Sequence, residues 1–433
     1  MYADFNFWVT LVIIVVVMGV VQGACAYLVL LERKIAAWTQ DRIGPNRAGP
    51  LGLLQPIADG LKFVFKEQLV PAKVDKLFYF TAPAVAMTAA LMAFAVVPFG
   101  RTWAPPSYPW PQTVEEQSAR DNDPAFKQEL AEYNSAGRGN IAAVQWVVAA
   151  HVEVGLIYVF AVGSLAVYAV VLGGWSSNSK YSFLGALRSS AQLISYEIPL
   201  GLAVLGVLFV TGSLNLERII EYQDKHGWNV LFQPVAALLF AVSVFAECSR
   251  LPFDLPETEQ ELVGGYHTEY TGMKLALFLL GEYVHMITTS LLVVILFFGG
   301  WELPWVAVPG PDNAGTIILK LIVLSVKMIL FIFFYMFVRW TVPRFRFDQL
   351  MGLTWKVLMP LALVNVVIVL VVHQVRPLGD YSDWLIAVLT VAALIAVGVY
   401  TAKLPRPPTR VRTAYRGHGA EQLTLASEHA VSP

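Results

Sequence analysis

Charge is what this 433-residue chain has least of: Asp, Glu, Lys and Arg make up 14%, against 57% hydrophobic residues. Soluble domains carry roughly a quarter charged residues, so a soluble fold is excluded. Cysteine is nearly absent. Cys25 and Cys248 stand in no Cys-x-x-Cys or Cys/His spacing, which excludes an iron–sulfur cluster or a zinc site held by this chain; no metal site is expected. A net charge of −1 gives no sign of nucleic-acid binding. No Lys or Arg precedes the first apolar run, and Glu32-Arg33-Lys34 follows it where a small-residue cleavage site would stand, so a cleaved signal peptide is not expected. No internal repeat stands out, unlike many secondary transporters.

What the chain does have is long apolar runs. Runs of about 20 residues suit membrane-crossing helices and are too long for barrel strands of about 10 residues. The expected fold class is therefore an all-α polytopic membrane protein. Its helices are expected at 8–31, 78–98, 141–172, 188–212, 234–249, 271–299, 315–338, 356–375 and 382–401, the fifth short and the fourth interrupted by Pro199 and Gly201.

Basic residues set the orientation. Arg33, Lys34, Arg42, Arg47, Lys62, Lys66, Lys73 and Lys76 follow the first span, and Arg339, Arg344 and Arg346 the seventh. Lys403, Arg406, Arg410, Arg412 and Arg416 follow the ninth, whereas 300–315 contains no basic residue. The positive-inside rule puts the N-terminus outside and loops 1, 3, 5 and 7 in the cytoplasm. A ninth span returns the basic tail there. The chain divides into 1–100 (two spans and loop 1), an external insertion 101–139 with an interfacial cap, core spans 140–380, the ninth span 381–403 and a tail 404–433.

In loop 1, Leu54, Ile57, Leu61, Val64 and Phe65 recur at helical spacing opposite Asp59, Lys62 and Lys66, which predicts an amphipathic helix over 53–67 lying in the membrane interface. It either seals the bundle or borders the entrance for a lipid-soluble substrate. Residues 245–270 are the most informative stretch: Glu247, Asp254, Glu257, Glu259, Glu261 and Glu269 gather between apolar spans. Closely spaced carboxylates raise one another's pKa and can share protons, although so dense a cluster also suits a solvated face. Glu247 and Arg250, three residues apart, are expected to pair. Glu197, Glu282 and Glu153 sit in apolar sequence, with His151 near Glu153 and His285 one turn beyond Glu282. Each acid carries a desolvation penalty, so a hydrated polar path explains them together better than separate structural pairs.

Four blocks occur in order: E-R-K…Q-x-R-x-G-P-N…G-L-L-Q-P…A-D-G-x-K…K-E at 32–67; G-W-S-S-N-S-K-Y-S-F-L-G-A-L-R…A-Q…S-Y-E at 174–197; A-E-x-x-R-x-P-F-D-L-P-E-x-E-x-E-L-V-x-G-Y-x-x-E-Y at 246–270, leading to G-E-Y at 281–283; and P-R-F-R-x-D-Q-L-M at 343–351. In these the chain closely resembles the quinone-site membrane subunit of proton-pumping NADH:quinone oxidoreductase, respiratory complex I. The resemblance implies a bacterial inner-membrane protein with eight core spans forming the membrane side of a quinone chamber. A funnel of acids is implied at Asp59, Glu197, Glu247, Glu257, Glu259, Glu261 and Glu282, with Glu32, Arg33, Arg42 and Glu269 near it and Phe63 and Arg250 along the quinone path. These would couple quinone reduction to proton translocation. No cofactor is expected on this chain alone; FMN and iron–sulfur clusters belong to peripheral-arm partners, and small membrane subunits, antiporter-like subunits, quinone and lipid complete the expected contacts.

Three departures accompany the resemblance. His151 and Glu153 stand where the family has an aspartate and then an asparagine, 101–139 is inserted, and the ninth span exceeds the family's eight. Alternatives are the equivalent subunit of a membrane-bound hydrogenase, which the loop 1 and loop 5 motifs disfavour, a free-standing ion transporter, and a structural anchor.

Overall fold

Lipid offers backbone groups no partner but one another, so apolar runs become helices. The computed structural model describes residues 7–99, 152–254, 263–303, 314–374 and 381–403, with isolated positions 124 and 127. The 101–139 insertion otherwise, His151, the acids Glu257, Glu259 and Glu261, and the 404–433 tail lie outside the described residues. The helices are α1 (Phe7–Thr39), α2 (Gln55–Phe65), α3 (Lys76–Met92), α4 (Gly155–Ser176), α5 (Lys180–Thr211), α6 (Leu216–His226), α7 (Pro234–Glu247), α8 (Gly272–Phe297), α9 (Ala314–Thr341), α10 (Phe347–Gln374) and α11 (Tyr381–Lys403). Among the described residues, seven are long and apolar enough to cross a membrane: α1, α3, α4, α5, α8, α9 and α10. The chain is an all-α, multi-pass membrane protein.

α8 is the axis of the bundle. Its apolar window is 72% buried within the chain against 17% for α1, because α1, α2, α3, α6, α7 and α9 all pack on it. The main core joins Leu291–Phe297 of α8 to Tyr196, Leu200 and Val207 of α5 and Leu239 and Phe240 of α7. α7 is the short fifth helix the sequence predicts. The helix at the ninth position, α11, packs on α10 and α7, where Ile386 meets Val369 and Val372 and Trp384 meets Phe232 edge-on with centroids 5.4 Å apart.

Several expectations need correction. α1 continues to Thr39 and carries Glu32 and Arg33 on its last turns, not in a loop. α5 starts at Lys180 and runs unbroken through Pro199; a bundle tolerates the one backbone bond that a proline removes. α10 begins at Phe347 and widens into a π turn at Thr354–Leu358. Glu153 lies in an exposed turn before α4, not inside a span.

At the bundle end away from Glu32 and Asp59, Glu302 follows α8 and is buried. Lys327 of α9 donates to the Phe298, Gly300 and Glu302 carbonyls at 2.7, 3.0 and 2.5 Å, satisfying the backbone where α8 ends. Burial, then the Asp224 carboxylate, raises the Glu302 carboxyl from 4.5 to about 7, against the attraction of Lys320. A raised acid binds its proton more tightly in the native state, so stability is greatest at low pH and falls as pH climbs through that window. Thermal unfolding from pH 5 to 8 should show this decline, and Glu302→Gln should flatten it. An unchanged slope in the variant would exclude Glu302 as its source.

Candidate functional site

A cavity of about 1090 Å³ of empty space, its open mouth included, lies between α3, α4, α5, α7 and α8. Small residues make the room: Ala86, Ala89 and Ala90 on α3, Ala93 just past its end, and Gly163 and Ser164 on α4. Into these mostly apolar walls project Glu197 from α5, Glu247 from the end of α7, and Glu282 and His285 from successive turns of α8. Three acids expected from separate sequence regions thus share one space.

Each acid has its own setting. Glu247 Oε1 is 3.2 Å from His285 Nε2. Tyr266 OH donates to Glu282 Oε1 at 3.1 Å. Tyr266 sits in the turn Gly265–His267, and Gly265 has φ +62°, the left-handed region. That turn lies directly against Gly185 of α5, where an added Cβ would be 2.6 Å from the Gly265 Cα. Two glycines therefore let backbone meet backbone and seat the tyrosine over Glu282. Tyr270 follows, stacked on Tyr79 with centroids 4.3 Å apart and with its hydroxyl 3.3 Å from Ser176 Oγ. Burial raises the Tyr270 phenol above its usual range, so it stays neutral.

Glu32 forms a second centre beside the cavity. Tyr283 OH donates to Glu32 Oε2 at 2.6 Å, Arg339 of α9 pairs with Oε1, and Arg250 Nη1 stands 3.7 Å from the same oxygen. Arg250 also lies over the Tyr283 ring, 4.2 Å from its centroid. The expected Glu247–Arg250 pair is not formed: Glu247 faces His285 and Arg250 reaches Glu32. The reason is the helix end. The chain leaves helical geometry after Glu247, with Ser249 at φ +50°, so the i, i+3 spacing no longer places the two on one face.

The loop after α7 is held from two sides. Gln192 of α5 donates to the Ala246 and Phe253 carbonyls, both at 2.8 Å. Asp254 pairs with Arg344 at 3.0 Å. Phe253 stacks on Phe345 with centroids 5.6 Å apart.

The third centre is on α2. Arg33 Nη1 is 2.6 Å from Asp59 Oδ2, and Gln55 Nε2 donates to Asp59 Oδ1 at 3.1 Å. Ile57, Leu61, Val64 and Phe65 remain more than half exposed, as the interfacial helix read from the sequence requires. Phe63 is half-buried and Arg42 is exposed. Glu269 enters through its main chain, whose carbonyl accepts from Tyr79 OH at 2.7 Å.

The sequence reading missed His285, Tyr266, Tyr283, Arg339 and Gln192 as members of these centres. His285 carried a signal, one turn from Glu282 and with Thr289 on the same face, but its partner on another helix did not show.

A family model described as NADH dehydrogenase matches residues 11–370. The chain belongs to the NADH dehydrogenase family. The match includes the cavity helices, Glu32 and Asp59, and stops before α11. Among relatives of this family, an NADH-quinone oxidoreductase subunit of Cytophaga hutchinsonii is 42% identical over 342 residues, 79% of this chain and 90% of that protein. The NADH-quinone oxidoreductase subunit matched in Leptospira biflexa serovar Patoc is 44% identical over 343 residues, 79% and 88% of the two chains. NADH-quinone oxidoreductase subunit 8 of Rhodothermus marinus is 41% identical over 373 residues, 84% and 96%.

Proposed function

We propose that this chain is the quinone-site membrane subunit of an NADH:quinone oxidoreductase, forming the membrane side of the quinone chamber and coupling quinone reduction to proton translocation. The observation that carries this reading is the convergence of Glu197, Glu247 and Glu282 on one cavity inside the helices that match the NADH dehydrogenase family. In apolar walls, charge appearing near one carboxyl changes the proton affinity of the others. A change in quinone charge at the mouth can thus move protons deeper in.

Asp59, held by Arg33 on the interfacial helix, borders the quinone path together with Phe63 and Arg42. Glu32, clamped by Arg250 and Arg339, stands between that path and the cavity. By the family resemblance, Glu257, Glu259, Glu261 and Glu269 of loop 5 belong to the same acid funnel. The end carrying Glu32, Asp59 and Arg344 faces the cytoplasm, a reading supported by the basic residues of loops 1 and 7. There the peripheral-arm subunits bring FMN and iron–sulfur clusters, while small membrane and antiporter-like subunits pack alongside in the bacterial inner membrane.

Asp59→Asn tests the reading. In membranes carrying the assembled complex, quinone-linked NADH oxidation should change its KM for quinone, while electron transfer from NADH to a water-soluble acceptor continues. Equal loss of both activities would point to failed assembly and sink the assignment of Asp59 to the quinone path.

A further inference from the structure

We propose that His285 is a proton carrier of the cavity, acting as a pair with Glu247; the proposal rests on the cavity reading above. Glu197, Glu247 and Glu282 line the cavity, and among the described residues His285 is the only lining side chain that can become a cation. Arg250 and Arg339 meet Glu32, and neither lines the cavity. Three carboxylates in apolar walls repel one another strongly. A cationic imidazole is therefore what lets the cavity hold more than one ionised acid at a time.

The geometry suits transfer as well as neutralisation. His285 Nε2 lies 3.2 Å from Glu247 Oε1, within reach of a proton jump along one hydrogen bond. Its Nδ1 has no partner among the described residues. Beside the pair stands Gly163 of α4, where an added Cβ would be 3.4 Å from Glu247 Oε1 and 4.0 Å from His285 Cε1, so α4 presents no side chain there. One ring nitrogen faces an acid and the other is open to the cavity, the arrangement of a two-sided relay.

The surroundings of the pair complete the picture. α5 contributes Glu197, the residue after α7 is Cys248, α8 itself brings Glu282, and Tyr266 comes from the turn beside it. Tyr335 of α9 reaches the same region, its hydroxyl 3.3 Å from Thr289 Oγ1 and 3.6 Å from Cys248 Sγ. α3 and α4 present no titratable side chain to the cavity among the described residues. In the step itself a proton leaves Nε2 and joins Glu247 Oε1. The imidazolium becomes neutral imidazole and the carboxylate becomes a carboxylic acid. No electron moves; the neutral ring is left with its proton on Nδ1, the one it took up from the cavity side, and return to the Nε2–H tautomer readies it for the next.

The test uses His285→Asn, His285→Gln and His285→Lys in the assembled complex, with Glu247→Gln alongside. The readout is the pH profile of quinone-linked turnover. If His285 carries the proton, native turnover falls on the alkaline side as the imidazolium is lost. His285→Asn and His285→Gln should lower turnover by about 100-fold and lose that limb. His285→Lys should move the limb to higher pH, which a merely space-filling role would not do. Any of the three variants that assembles decides the matter, and native turnover with a native limb overturns the proposal. If Glu247→Gln fails while the His285 variants behave as native, the cavity reading stands and the histidine proposal falls. If all four behave as native, both fall.

Discussion

Replacing Glu32 with Gln should remove most of the intact complex from the membrane. Glu32 is the shared counter-charge of Arg250 and Arg339, and all three side chains are largely enclosed, with exposures of 12, 11 and 25%. Removing one partner of an enclosed ion pair leaves the other charge uncompensated, a loss of about 3–5 kcal/mol. Here two arginines lose the same carboxylate at once. The same carboxylate joins α1 to α8 through Tyr283 and to α9 through Arg339, so the damage spreads over three helices. Glu32→Asp keeps the charge and should retain part of the complex. Native gels of solubilised membranes and thermal inactivation of NADH oxidation would measure both variants. Wild-type amounts and heat resistance in Glu32→Gln would mean that the hub contributes nothing to stability.

Gly185→Ala should be nearly as damaging, from a single methyl group. Its Cβ would meet the Gly265 Cα and C and the Tyr266 nitrogen at 2.6, 2.7 and 2.8 Å. All three are backbone atoms, so no side chain can swing aside. Overpacking of this kind destabilises by about 1–3 kcal/mol. The turn must also move away from α5, which withdraws the Tyr266 hydroxyl from Glu282. Gly281→Ala is the control. It lies on the cavity wall, yet its nearest neighbours would be at 3.7–3.8 Å, ordinary contact, and the complex should form normally. Equal assembly of both variants would show that the contact between Gly185 and the turn yields easily.

Hydropathy located the long apolar helices but missed the polar helix α6 at Leu216–His226 and misjudged several ends. It marks where lipid begins, whereas a helix continues as long as its backbone bonds do. Glu32 and Arg33 on α1 and Lys180 and Tyr181 on α5 lie beyond the apolar runs yet remain helical. The motif residues near these ends thus stand on rigid elements and not on loops, which is what holds Glu32 and Arg33 in place.

Within the site, the acids were legible singly because a carboxyl in apolar sequence demands an explanation. They were grouped only as one polar path and as the funnel the resemblance implies; which side chains meet was not legible. Glu282 and Tyr283 are neighbours in the chain, but successive helix residues point about 100° apart: one faces the cavity and the other faces Glu32. Arg250 was assigned to Glu247 on local spacing, and the helix end after Glu247 sends it to a residue more than two hundred positions away.

Composition and pattern by themselves determined that this chain lies in a membrane as a bundle of helices, which of its apolar regions are helical, and which family its four motif blocks resemble. These properties follow from local solvent preference and backbone bonding, which each segment carries with it. Only the tertiary structure decided that Glu197, Glu247, Glu282 and His285 share one cavity, that Glu32 anchors two arginines, and that Asp59 belongs to Arg33. Such partnerships depend on which helix faces meet when α8 is enclosed by its neighbours, and that is settled by packing between segments far apart in the chain, where no local spacing can reach.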